Sequence, residues 1–173
     1  MARVLIVGCG CRGRALAREL VADGHAVRGT TRDPARGSEI AATGAEVWIG
    51  DPARLATLSR ALEAVTVVCW LLAGARGDPD QVAALHQERL RSYLREMVDT
   101  TVRGFVYEAV GTAGPEVLSR GRAIVEEARA AWEIPAVVLE EHPDDVTAWA
   151  EAACKAVQAL LADRRGQVGS GLG

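Results

Sequence analysis

The sequence predicts a doubly wound α/β domain, a parallel sheet of about six strands with helices on both faces. Three observations predict it. Apolar, β-rich runs alternate with helical patterns along the whole chain, which calls for parallel strands joined by crossover helices. The strands are apolar almost without interruption, as in VVCWLL at 67–72, so both of their faces should be covered. The first strand runs directly into a glycine-rich turn that opens a helix, the arrangement of a Rossmann-type fold.

In chain order, strands are expected at Arg3–Val7, Ala26–Thr30, Glu46–Ile49, Val65–Leu72, Gly104–Val110 and Ala136–Leu139. Leu16, Leu20 and Val21 mark the apolar stripe of the first helix, and Leu55, Leu58 and Leu62 mark another at spacings of three and four. Asp51-Pro52, Asp78-Pro79 and His142-Pro143 each put proline near a first helical turn, where its missing N–H costs nothing, and Asp51 and Asp78 are placed to cap. Gly24 and Gly44 stand where helices should stop. A last helix, about Asp144 to Ala162, carries Val146, Trp149, Ala153, Val157, Leu160 and Leu161 on one face. One domain over residues 1–162 is therefore expected, followed by a flexible glycine-rich tail at 163–173.

Bulk properties exclude several classes. With 49% hydrophobic and 25% charged residues the chain has the balance of a soluble globular protein. The longest apolar run, Ala64 to Ala75, is too short to cross a bilayer, and no tripartite leader precedes the first strand, so no membrane association and a cytoplasmic location are expected. Cys9, Cys11, Cys69 and Cys154 form no CxxC pair and share no metal-ligand spacing with histidine, so reduced thiols and no metal site are expected. A pI near 5.7 and the lack of a basic aromatic stripe argue against nucleic acid. Charge is uneven, however. Through residue 36 seven arginines (Arg3, Arg12, Arg14, Arg18, Arg28, Arg32, Arg36) face Glu19, Asp23 and Asp33, a local +4 against a net −3, so the front of the chain should welcome an anion.

Gly8-Cys9-Gly10-Cys11-Arg12-Gly13 is a G-x-G-x-x-G between a strand and a helix, with a second strand following. Gly8 permits the tight turn, Gly10 lets a pyrophosphate approach the backbone, and Gly13 lets helix and strand pack closely; the phosphate would meet unpaired N–H groups at the positive end of a helix. A dinucleotide is the expected ligand. At the end of the second strand, where an NAD site places Asp or Glu for the ribose 2′-hydroxyl, this chain has Thr30-Thr31 followed by Arg32. A guanidinium in place of a carboxylate favours a 2′-phosphate, hence NADP(H) over NAD(H), and Arg12 would add a second cation. Solvated surface charge is the duller reading of both arginines. Cys9 and Cys11 are expected to serve as small side chains in a tight loop; a redox role would need a lowered thiol pKa.

IVGCGCRGRALARELVADGHAVRGTTRDP, then GDPARLATLSRAL, VTVVCWLLAG and RGFVYEAVGTAG, together resemble the atypical and extended short-chain dehydrogenase/reductases, including epimerase-like and NmrA-like NAD(P)H-binding members. The likeness covers most of residues 1–140. It implies that Gly8, Gly10, Cys11, Arg12 and Gly13 belong to the pyrophosphate loop, that Thr31 and Arg32 face the adenosine ribose, and that Asp51 contacts adenine. By the same likeness Leu72, Ala73 and Gly74 lie along the nicotinamide ribose.

Active members of those families carry a Tyr-x-x-x-Lys pair for acid–base chemistry. This chain cannot form one: Tyr93 precedes Met97 at that spacing, Tyr107 precedes Gly111, and Glu151 precedes the sole Lys155. Leu118 and Arg122 fall at the pair's positions, and the family's hydroxyl residue after the fifth strand is replaced by Ala109 and Val110. Thr112, just beyond, and Glu108 are the remaining catalytic candidates; a carboxylate within an apolar strand must be at an exposed end, bound to an arginine or held for function. His86 and Tyr93, seven apart on one helix face, are expected at the half-buried edge of an apolar stripe. After the sixth strand one helix is expected, where the extended members carry a substrate domain.

Two functions are therefore expected to compete. One is an NADP(H)-binding, catalytically degenerate protein acting as a cofactor-dependent sensor or partner. The other is an NADP-dependent oxidoreductase or epimerase-like enzyme with unconventional residues, its site completed by dimerisation; a homodimer or a protein partner is the expected association.

Overall fold

The computed structural model describes the backbone of residues 1–168 and the side chains of residues 1–163. Its strands are β1 (Arg3–Val7), β2 (Ala26–Thr31), β3 (Glu46–Ile49), β4 (Val67–Trp70), β5 (Gly104–Glu108) and β6 (Ala136–Leu139). They form one six-stranded parallel sheet in the order β3-β2-β1-β4-β5-β6, with Ile6 of β1 opposite Gly29 of β2 and Cys69 of β4. Strand order reverses between β1 and β4, and in such sheets the crevice at the carboxyl ends of those strands receives the ligand.

Alternation along each strand divides the core in two. Val4, Ile6, Val27, Cys69 and Val106 face α1 (Cys11–Ala22) and α6 (Val146–Val168), packing with Leu16, Leu20, Trp149 and Val157. Leu5, Val7, Val68, Trp70 and Phe105 face the other way, against α4 (Glu88–Met97) and α5 (Pro115–Trp132), whose Leu90, Tyr93, Met97, Ile124 and Val125 are buried. A short helix α2 (Gly37–Ala41) follows β2, and α3 (Pro79–Leu85) borders the crevice through Gln81, Val82 and Leu85; Asp78 caps α3, its Oδ1 accepting from the N–H groups of Asp80 and Gln81.

Several expectations are corrected. The Leu55/Leu58/Leu62 stripe is two successive 3-10 turns, Leu55–Thr57 and Ser59–Leu62. Spacings of three and four fit either helix type, and here the Thr57 carbonyl accepts from the Trp48 indole at 2.9 Å instead of continuing an α-helix. Asp51 therefore caps a turn, its Oδ1 taking the Ala53 N–H at 2.9 Å. At the start of α6 Asp145 caps, accepting from the Ala148 N–H at 3.0 Å, and Pro143 lies three residues before the first helical residue, Val146. That helix runs on to Val168, past Ala162, so the segment 163–168 expected to be tail is helical; 169–173 lie outside the described residues.

His86 and Tyr93 are fully buried, not half-buried. Each polar tip finds a partner inside: the Tyr93 hydroxyl donates to the Leu58 carbonyl, and both ring nitrogens of His86 are engaged. Two of the seven N-terminal arginines also serve the fold. Arg28, 6% exposed, stacks over Trp48, binds the Ala61 and Glu63 carbonyls and shares Glu46 with Arg3 toward the opposite end of the sheet from the crevice.

Candidate functional site

A cleft of about 400 Å³ opens at the carboxyl ends of β1 and β4, at the reversal of strand order. Gly8, Gly10, Cys11, Arg12, Gly13, Thr31, Arg32, Asp51, Leu72, Gly74 and Glu108 all line it, so most residues singled out in the sequence converge on one place. Ala73 is buried beneath the lining, and Thr112 is exposed and does not border the cleft.

The glycine-rich loop is shaped by close contacts. Gly8 has φ of +85°, and a Cβ there would lie 2.5 Å from the Leu71 carbonyl oxygen. Its N–H donates to the Thr30 hydroxyl at 3.1 Å, and the Cys9 N–H to the Thr30 carbonyl at 3.1 Å, which fastens the turn to the end of β2. A Cβ on Gly13 would approach the Gly8 carbonyl to 3.0 Å, so helix α1 rests directly on the loop. Gly10 differs: a Cβ there would meet nothing within 4 Å. It caps α1 without a side chain, and the first intrahelical bond runs from the Arg14 N–H to the Gly10 carbonyl. The N–H groups of Cys11, Arg12 and Gly13 precede that bond, as the first N–H groups of any helix do, and lie beside open space. Unpaired N–H donors, a helix N-terminus and a gap where side chains would otherwise stand fit a phosphate group.

At the β2 end of the cleft, Thr31 is partly buried while Arg32 and Arg36 are exposed and both line the cavity. The carboxylate that follows Arg32 is engaged by the backbone: Asp33 Oδ1 accepts the Ala35 N–H at 2.9 Å, capping the turn Pro34–Arg36. Thr31 Oγ1 accepts from the Asp33 N–H at 3.2 Å, tightening the same turn. Arg36, named in the sequence only within the basic front of the chain, also lines the cleft, at the end of the turn that Asp33 caps. Arg76 and Gln81, from the segment between β4 and α3, also border the cleft without having been expected.

On the β4–β5 side, Glu108 closes the floor. It is 1% exposed, and its Oε2 lies 3.1 Å from Arg12 Nε while Oε1 accepts the Ala73 N–H at 3.0 Å. Burial pushes its carboxyl above the ordinary value, while the Arg12 guanidinium, the Ala73 N–H and the Trp149 indole N–H pull the other way. The Trp149 N–H does so from a geometry short of a formed hydrogen bond. Of the three fates open to a glutamate in this strand, pairing with arginine is the one realised.

No tyrosine hydroxyl reaches the cleft among the described residues. Tyr93 and Tyr107 are buried, their phenols pushed above the usual range by burial, and the Tyr107 hydroxyl pairs with His86 Nδ1 at 2.8 Å. Leu118 is buried, and Arg122 pairs with Glu140. Cys9 is buried against Gly13 and Gly29, and burial pushes its thiol up to about 11. Cys9 therefore fills space at neutral pH. No group of histidine, cysteine and carboxylate side chains suited to a metal occurs among the described residues, and none of their helices is long and apolar enough to cross a membrane.

Comparison with known proteins agrees with this geometry. A family described as NAD(P)H-binding matches residues 8–120. Among solved structures, the protein gox2253 aligns with a TM-score of 0.64 at 25% identity, over 80% of this chain and 50% of its own. UDP-glucuronic acid 4-epimerase from Bacillus cereus, in complex with NAD, aligns with a TM-score of 0.68 at 16% identity, over 81% and 55%. Triphenylmethane reductase from Citrobacter sp. aligns with a TM-score of 0.63 at 18% identity, over 79% and 48%. The chain spans about half the length of these neighbours. No curated protein matches it. Every loop that builds the cleft, from Gly8 to Glu108, falls within the matched span, and the chain belongs to the NAD(P)H-binding family.

Proposed function

We propose that the cleft binds NADP(H) in preference to NAD(H), and that the protein is a catalytically degenerate member of the short-chain dehydrogenase/reductase group, acting as a cofactor-dependent sensor or partner. The observation that carries the cofactor reading is the end of β2, where Arg32 and Arg36 border the cleft and Asp33, the carboxylate next in sequence, caps a turn. Two guanidinium groups at the adenosine end suit a 2′-phosphate, and a carboxylate that would repel it is engaged by backbone. Thr31 and Arg32 then take the ribose and its phosphate, Gly8, Gly10, Cys11, Arg12 and Gly13 take the diphosphate, and Asp51 lies toward adenine. Leu72, Ala73 and Gly74 flank the second ribose.

Bound NADP(H) supplies or accepts hydride, so chemistry needs from the chain a proton donor and a shaped substrate cleft. Supporting degeneracy, both tyrosines are buried with their hydroxyls engaged, and the positions of the family's proton-transfer pair hold a buried leucine and an arginine paired with Glu140. The protein would then act in its cofactor-bound form, from the cytoplasm, on a partner or as a homodimer.

A second reading, an NADP-dependent oxidoreductase or epimerase-like enzyme, draws on one observation: Glu108 borders the cleft at the end of β5. Incubation with NADPH and a panel of carbonyl and sugar-nucleotide substrates separates the two. Consumption of NADPH at background supports the binding reading. Turnover above background that disappears in Glu108→Gln overturns it.

A further inference from the structure

Arg12 crosses the point where strand order reverses. It stands in the first turn of α1, directly after the glycine-rich turn that follows β1, and reaches Glu108, the last residue of β5, and Gly74, after β4, in the other half of the sheet. Its side chain is 25% exposed and its guanidinium lies 5.7 Å from the Trp149 ring of α6. A Cβ on Gly74 would stand 3.1 Å from Nη2, so a residue without a side chain leaves the fork its room. Glu108 takes Nε alone; among the described residues Nη1 and Nη2 have no hydrogen-bond partner.

That division of labour needs arginine. A guanidinium can give Nε to one carboxylate and its Nη pair to a second anion at once, in fixed planar geometry, whereas an ammonium is a point charge that must choose. A purely structural ion pair explains less. Replacing a buried ion pair by apolar residues is often neutral or stabilising, and a pair kept for the fold alone has no need to leave its outer donors on a cleft wall.

We propose that Glu108 is a positioning residue: its carboxylate holds Arg12 by Nε, so that the Nη fork is presented across the strand reversal as a clamp for the diphosphate of the dinucleotide. By accepting the Ala73 N–H with its other oxygen, Glu108 also fixes the loop after β4 relative to the glycine-rich loop. The pair thus ties the two loops that would flank the diphosphate. This rests on the reading of the cleft as a dinucleotide site.

The experiment measures NADPH affinity by fluorescence titration, and thermal unfolding without ligand, for wild type, Arg12→Lys, Glu108→Gln and the double variant. Arg12→Lys keeps a cation beside Glu108, so its melting temperature should stay within a few degrees of wild type while its NADPH Kd rises about tenfold or more. Glu108→Gln should weaken binding similarly, and the double variant no further than the worse single one, since both remove the same clamp. Wild-type affinity in Arg12→Lys, or effects of the two substitutions that multiply, would overturn the proposal and leave the dinucleotide reading standing. A wild-type protein that binds no NADPH or NADH would overturn both. Arg12→Lys serves alone where Glu108→Gln does not fold.

Discussion

His86 and Tyr107 form a buried hydrogen-bonded pair, Nδ1 to phenol oxygen 2.8 Å, beneath the loop that follows β4. The other ring nitrogen, Nε2, lies 3.0 Å from the Leu72 carbonyl. A carbonyl can only accept, so Nε2 carries a proton, and in the neutral ring, which burial favours, Nδ1 accepts from the Tyr107 hydroxyl. One ring thereby joins the end of α3, the β4 loop and β5.

Burial pushes the His86 pKa below its ordinary value of 6.5. As pH falls through about 6.5 the unfolded chain takes up a proton that the folded protein refuses, so stability is full above that pH and declines toward the lower folded pKa. Melting temperatures measured from pH 8 to pH 5 should fall below about pH 6.5 in wild type and fall less steeply in His86→Gln. Equal slopes in the two proteins would contradict this role for His86.

Two glycines of one loop should answer alanine differently. Gly8→Ala meets a positive φ and the Leu71 carbonyl, and should cost about 1–3 kcal/mol of stability. Gly10→Ala meets nothing, at an ordinary φ of −79°, and should leave stability within about 0.5 kcal/mol. On the proposed reading its methyl group would stand where a phosphate would approach, so dinucleotide Kd should rise about tenfold, or 1.4 kcal/mol. Denaturant unfolding and titration of each variant check both halves.

Arginines near the front of the chain should separate by address. Arg28→Met removes hydrogen bonds to the Ala61 and Glu63 carbonyls far from the cleft, and should lower stability by about 1–3 kcal/mol without changing NADPH affinity. Urea unfolding measures the first effect and equilibrium titration the second.

Thiol chemistry at the loop should fall on one cysteine. Cys11 is exposed at the cleft, whereas Cys9 is buried with its pKa raised to about 11. Alkylation of native protein near pH 8, read by peptide mass, should label Cys11 well before Cys9, and NADPH should slow it.

The layout of the sheet was legible because a buried parallel strand needs an unbroken apolar run, and VLIV, VVCW and FVY each supply one. Ends were less so: Val65 and Leu72 are buried but lie outside β4, since burial and ladder pairing are different demands met by the same residue types. The glycine-rich loop and the Thr31–Arg32 end of β2 were legible because their chemistry is local. Local sequence also misled at Leu55–Leu62, where tertiary bonds to Thr57 decided the turn type. Arg12 and Glu108 stand 96 residues apart, and His86 meets Tyr107 across 21; no periodicity within either segment encodes such a partner.

The most direct test of the account is the ratio of NADH to NADPH dissociation constants in wild type and Arg32→Ala. NADPH should bind at least tenfold more tightly than NADH to wild type, and Arg32→Ala should remove most of that difference by weakening NADPH alone. Equal or tighter binding of NADH by wild type, or an unchanged ratio in Arg32→Ala, would contradict it.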